Sequence, residues 1–163
     1  MDLINEIREQ QKQIILTINT AFDELVKKVE KININEENVN IEYESEYPIT
    51  NTTVFKGKKP IAVKMKGKRI ITPTWKSVVK VILQEVLKDE QMKKRILDLR
   101  DRILGHKRTR ISDREGDMRS PLQLCDDLFI ETHYDTETLM NLLLQILEGI
   151  NYNYNDIAIF IKN

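Results

Sequence analysis

Between Asp2 and Ile32 the chain runs for thirty-one residues without a glycine or a proline. Positions a and d of a seven-residue repeat fall on Ile4, Ile7, Gln11, Ile14, Ile18, Ala21, Leu25, Lys28 and Ile32, and seven of those nine are apolar. This spacing predicts one helix over residues 2–32, roughly eight turns long, with a continuous apolar seam. A helix standing alone gains little unless its stripe is buried, so the seam requires a partner. That partner is either the body of the protein or the same helix of a second chain. A polar Gln11 at an a position favours the second, a homodimer through the N-terminal helix.

After this helix the charge is strongly segregated, although the whole chain is neutral. Residues 1–47 carry 11 acidic and 5 basic side chains, residues 48–119 carry 8 and 20, and residues 120–163 carry 7 and 1. Within the middle block, Lys56 to Leu83 holds nine basic residues and no acidic one. Charged side chains mostly stay solvated, so the pattern predicts a polarised surface. The alternative is that the acidic ends pack beside the basic middle and neutralise it.

Residues 33–53 are rich in Asn and Glu, with an alternation at Val39, Ile41 and Tyr43, and read as an acidic linker or one peripheral strand. The compact domain is drawn over residues 54–163. Ile61, Val63 and Met65 alternate with Ala62, Lys64 and Lys66, and a second short strand, Arg69 to Thr72, returns after Gly67. Residues 56–72 therefore read as a β-hairpin with the three apolar residues inward and lysines outward. Thr72-Pro73-Thr74 announces a helix over 75–87. A second helix is expected over Glu90–Leu104, stopped by Gly105. Strand-like pieces follow at Leu122–Cys125 and Leu128–Glu131, then a third helix at 136–148 capped by Asp135 or Thr136, and a buried strand at 157–161. The order ββαα-β-β-α-β after a long helix gives an α+β fold around a small mixed or antiparallel sheet.

No apolar run approaches the ~18 residues that span a bilayer. The first residues lack a basic and apolar leader, and a single cysteine rules out an internal disulfide. The cytoplasm is the expected compartment, with no membrane partner. Phosphate-loop and dinucleotide-binding patterns are absent, and no motif calls for a cofactor or a metal. His133, between Glu131 and Asp135, is read as part of a strand end and helix cap rather than a general base. Cys125 is read as a small core residue, not the nucleophile of a Cys125–His133 pair, and Trp75 as a core anchor rather than a base-stacking platform.

The chemistry-bearing candidates are therefore the hairpin and the turn after Gly105. Lys and Arg neutralise phosphate and supply most non-specific nucleic-acid affinity. Lys58, Lys59, Lys64, Lys66, Lys68, Arg69, Lys107, Arg108 and Arg110 are the candidate phosphate contacts, for DNA or RNA alike. A basic face also suits docking on an acidic protein, as an adaptor or inhibitor. A third reading, an enzyme or small-nucleotide binder built on His106, Lys107, Arg108 and Arg110, lacks a general base or metal constellation. It calls for a deep pocket joining Arg108, Arg110 and His133.

Several stretches resemble a module found at the C-terminal ends of bacterial restriction, defence and mobile-element proteins. They are Gly67-Lys68 leading through a strand to Thr74-Trp75-Lys76, the basic Gly105-His106-Lys107-Arg108, Arg119-Ser120-Pro121, Ile130-Glu131-Thr132, and Asp156-Ile157-Ala158-Ile159 after a helix. The resemblance covers roughly residues 55–163 and carries over no catalytic residue. It implies an accessory module serving nucleases or other effectors. Preceded here by a helix and linker alone, it implies a stand-alone, non-enzymatic binder or regulator, with a phage as one setting.

Overall fold

The computed structural model describes residues 2–33, 43–107 and 109–162, and the side chains of 30–33 are outside that description. The chain divides into two units, Met1–Ile41 and Glu42–Asn163. The first holds the expected helix, α1 (Leu3–Asn33). Its seam residues Ile4, Ile7, Ile14, Ile18 and Leu25 each leave between 49% and 60% of their surface exposed. Burying such side chains is worth about 1.5–3 kcal/mol each, so the stripe is a large unused surface. Among the described residues no helix is long and apolar enough to cross a membrane.

The second unit is α+β, and it begins at Glu42 rather than at residue 54. Its elements are β1 (Glu44–Pro48), β2 (Lys59–Met65), β3 (Lys68–Ile71), α2 (Trp75–Val86), α3 (Glu90–Asp98), β4 (Ile111–Ser112), β5 (Pro121–Cys125), β6 (Leu128–Glu131), α4 (Thr136–Gly149) and β7 (Ala158–Lys162). The strands form two antiparallel sheets, β1-β7-β2-β3 and β4-β6-β5, where the sequence predicted one. The segment read as linker or peripheral strand supplies the edge strand β1, placed by its pairing with the last strand, β7. The alternation at Val39 and Ile41 lies outside the described residues.

The hairpin β2-β3 turns on Lys66 and Gly67, both with positive φ (50° and 71°). Two such residues make the tight turn whose twist matches the flanking strands. Lys66 is held there by its backbone N–H, which donates to Asp156 at 3.2 Å. Val63 and Met65 are buried as expected, but Ala62 is buried and Ile61 is only partly so. A register shift between Pro60 and Ala62 interrupts the alternation, and Ala62 sits in the ladder between Phe160 and Ile71.

Thr74 caps α2: its hydroxyl accepts from the Ser77 N–H at 3.1 Å while the Ser77 hydroxyl accepts from the Thr74 N–H at 3.1 Å. The apolar face of α2 (Val78, Val79, Ile82, Leu83, Val86) is fully buried. The helix touches β2 of one sheet and β5 of the other, so it joins the two sheets into one core with α4. Helix α3 ends at Asp98, not Leu104. Ile103 is still buried, because the chain continues in turns and the Ile103 N–H donates to the Leu99 carbonyl at 2.9 Å. The apolar spacing thus persists after the helix has stopped. A bridge between Leu104 and Thr109 then closes the Gly105 turn.

Candidate nucleic-acid interface

Three of the seven hairpin cations, Lys64, Lys66 and Arg69, are paired within the fold. Strand order places β1 next to β7 and β7 next to β2, so the glutamates of β1 lie across the sheet from the hairpin lysines. Lys64 pairs with Glu46 at 3.1 Å, and Arg69 pairs with Glu44 at 2.7 Å. The Arg69 guanidinium also lies 4.4 Å from the centre of the Phe160 ring. Lys66 pairs with Glu85 at 3.1 Å. The hydrogen bond that Lys66 donates to Glu85 holds its ammonium above the ordinary range, while Lys88 and then Lys66 hold the Glu85 carboxyl below its own. Exposed pairs of this kind contribute little to stability, but they occupy charges that the sequence assigned to a ligand. Acidic ends beside a basic middle is therefore the arrangement found at Lys64 and Arg69, whereas Glu85, the partner of Lys66, belongs to the basic middle itself.

Lys68 is opposite Met65 in the ladder, on the face away from Lys64 and Arg69. Lys58 and Lys59 are exposed at the start of β2, and Arg108 is outside the described residues. Among the described residues Lys58, Lys59, Lys68, Lys107, Arg110 and Arg119 make no ion pair.

Lys58, Lys107, Arg110 and Arg119 are linked by a chain of contacts that does not include Lys59 or Lys68. The Trp75 indole N–H donates to the Lys58 carbonyl at 2.9 Å, and the ring packs on Phe55 with centroids 5.1 Å apart. The next residue, Lys76, reaches across from α2 and donates to the Pro121 carbonyl at 3.2 Å. Just before Pro121, the Arg119 and Ser120 N–H groups donate to the Glu131 carboxylate at 2.7 and 2.9 Å. Glu131 in turn borders a cavity of about 360 Å³ shared with Gly105, His106, Lys107, Arg110, Arg119, His133, Tyr134 and Thr138. The Gly105 turn, the Arg119-Ser120-Pro121 stretch and the end of β6 are thus brought to one place.

Glu131 is the organiser of that place. It is 1% exposed and accepts a third N–H, from His133, at 2.9 Å. Burial alone would raise its pKa, and the backbone N–H groups of Arg119, His133 and Ser120 outweigh it, so the carboxyl titrates below its ordinary value. Arg110 comes from the other side, just ahead of β4. Its guanidinium lies 5.5 Å from the centre of the Tyr134 ring, and its buried Nε has no hydrogen-bond partner among the described residues.

The remaining candidates are placed as follows. His133 is exposed at the cavity rim, and Asp135 is the cap of α4, accepting from the Thr138 N–H at 3.0 Å. Cys125 pairs with Leu128 at the turn end of the β5-β6 hairpin, whereas His133 follows Glu131 at the open end, so the two are not neighbours. Trp75 is a core anchor on Phe55. Among the described residues no three His, Cys, Asp or Glu side chains are grouped to hold a metal ion. Lys76 and Arg119 were missed as candidates. Both stood within quoted motifs, Thr74-Trp75-Lys76 and Arg119-Ser120-Pro121.

Comparison with protein-family models, with curated proteins and with solved structures finds no match for this chain.

Proposed function

We propose that the unit from Glu42 onward is a non-enzymatic nucleic-acid-binding module that grips the phosphate backbone with Lys58, Lys76, Lys107, Arg110 and Arg119. The observation that carries this reading is the division of the basic block. Lys64, Lys66 and Arg69 are taken by Glu46, Glu85 and Glu44, while Lys58, Lys76 and Arg119 follow one line of contacts from the hairpin base to the cavity that Lys107 and Arg110 also line. Arginine binds phosphate through a planar fork and lysine as a point charge, so the line combines positioning with non-specific attraction. As a regulator in a bacterial or phage setting, such a module needs affinity more than base readout. Titration of labelled duplex and single-stranded DNA and RNA at low salt tests the reading. Binding at micromolar concentration or tighter is expected, and no binding to any of the four rules the reading out.

The exposed stripe of α1 supports pairing with a second chain. We take its partner to be α1 of another copy, which would present two cationic lines to one ligand and raise avidity. Replacing Ile14 and Ile18 together by aspartate puts two charges into the seam. Sedimentation velocity should then show the mass fall from dimer to monomer, with affinity for a long duplex weakened by about tenfold or more. A wild-type chain that sediments as a monomer removes this part of the account.

A further inference from the structure

The cavity beside Arg110 has features that a phosphate track along a surface does not need. Its volume of about 360 Å³ is at the small end of ligand pockets. Three of its lining residues are cations, Lys107, Arg110 and Arg119, and one is a carboxylate, Glu131. That carboxylate already accepts three backbone N–H groups and pairs with none of the cations. Two positive charges are therefore left over. A phosphodiester carries one negative charge, whereas a phosphomonoester carries about −1.5 to −2 near neutral pH.

The arginine is also prepared for a ligand. A buried guanidinium N–H without a partner is costly, yet the Nε of Arg110 has none among the described residues, while Tyr134 backs the same group. Tyr134 and the two rim histidines, His106 and His133, offer flat faces on which a base can stack.

We propose that this cavity binds a phosphomonoester carried by a single nucleotide, either free or at the end of a nucleic-acid strand. Arg110 and Lys107 take the phosphate, and Tyr134 keeps the guanidinium in place. The strand-end form rests on the nucleic-acid reading above, with the cation line holding the rest of the strand.

Fluorescence anisotropy with the full chain tests this, using one short single strand made with a 5′-phosphate, a 3′-phosphate or hydroxyl ends, and calorimetry with AMP. At least one phosphate-ended strand should bind about tenfold or more tightly than the hydroxyl-ended one, the scale of one charge-assisted contact. Arg110→Ala should erase that difference, and so should Lys107→Ala, which alters an exposed side chain and leaves folding intact. Equal affinity for all three strands, with AMP inert, overturns the inference and leaves backbone binding standing. AMP binding that depends on Arg110, with no strand bound, assigns the site to free nucleotides and overturns the backbone reading instead. Silence from every probe overturns both.

Discussion

Replacing Glu131 by alanine is expected to lower the unfolding free energy by about 3 kcal/mol and Tm by roughly 10 °C. The carboxylate is buried and accepts three backbone N–H groups from two different loops. Alanine leaves all three donors without an acceptor, and an orphaned buried donor costs about 1–3 kcal/mol. Water entering from the cavity recovers part of that cost, which keeps the estimate at the lower end of the sum. Glu131→Gln retains one acceptor oxygen and should lose about half as much. The pH dependence follows from the same bonds. The folded state holds Glu131 ionised more readily than the unfolded chain does. Its contribution is complete above the ordinary value of 4.5 and is lost as pH falls through the depressed folded value. The Tm gap between wild type and Glu131→Gln should therefore narrow in acid. An alanine variant with an unchanged Tm would show that the loop is held by something else.

The second large effect is on binding. If the five cations Lys58, Lys76, Lys107, Arg110 and Arg119 all contact phosphates of a duplex, the slope of log affinity against log salt is about −4.5. Affinity should then fall by roughly 500-fold between 50 and 200 mM salt. Each cation removed should reduce the slope by about one unit. A slope near zero with intact binding would point to an apolar or base-stacking ligand rather than to the backbone.

Much of the local structure was legible because its causes are local. Thr74 and Asp135 cap helices through hydrogen bonds to residues three positions on. Gly67 marks the hairpin because its φ is positive. Helix α1 is continuous because nothing in residues 3–33 interrupts it. The extent of α3 was misread because Leu99 and Ile103 keep helical spacing while sitting in turns. The alternation at Ile61 failed at a bulge, which leaves no mark in the pattern.

The site was less legible than the fold, and the reason is topological. A basic run looks unopposed when its counter-charges are distant in sequence. Glu44 and Glu46 reach Arg69 and Lys64 only because β7, the last strand, inserts between β1 and β2. No local pattern signals that order. The cavity was likewise hidden, since its lining comes from the Gly105 turn, the residues around Arg119 and the segment from Glu131 to Thr138. The resemblance quoted these stretches one by one, and the fold assembles them.

On the proposed function, the hairpin charges at Lys64 and Arg69 are structural and the cavity-side charges bind. Two charge reversals measured side by side test it most directly: Lys64→Glu with Arg69→Glu, and Lys107→Glu with Arg119→Glu. Both are read by anisotropy on the same labelled duplex at low salt, with circular dichroism confirming that each variant is folded. The cavity-side pair should lose about a hundredfold or more in affinity, at roughly 1.5 kcal/mol or more per charge contact. The hairpin pair should stay within a few-fold of wild type. The opposite ranking, with the hairpin pair abolishing binding and the cavity-side pair leaving it intact, would contradict it.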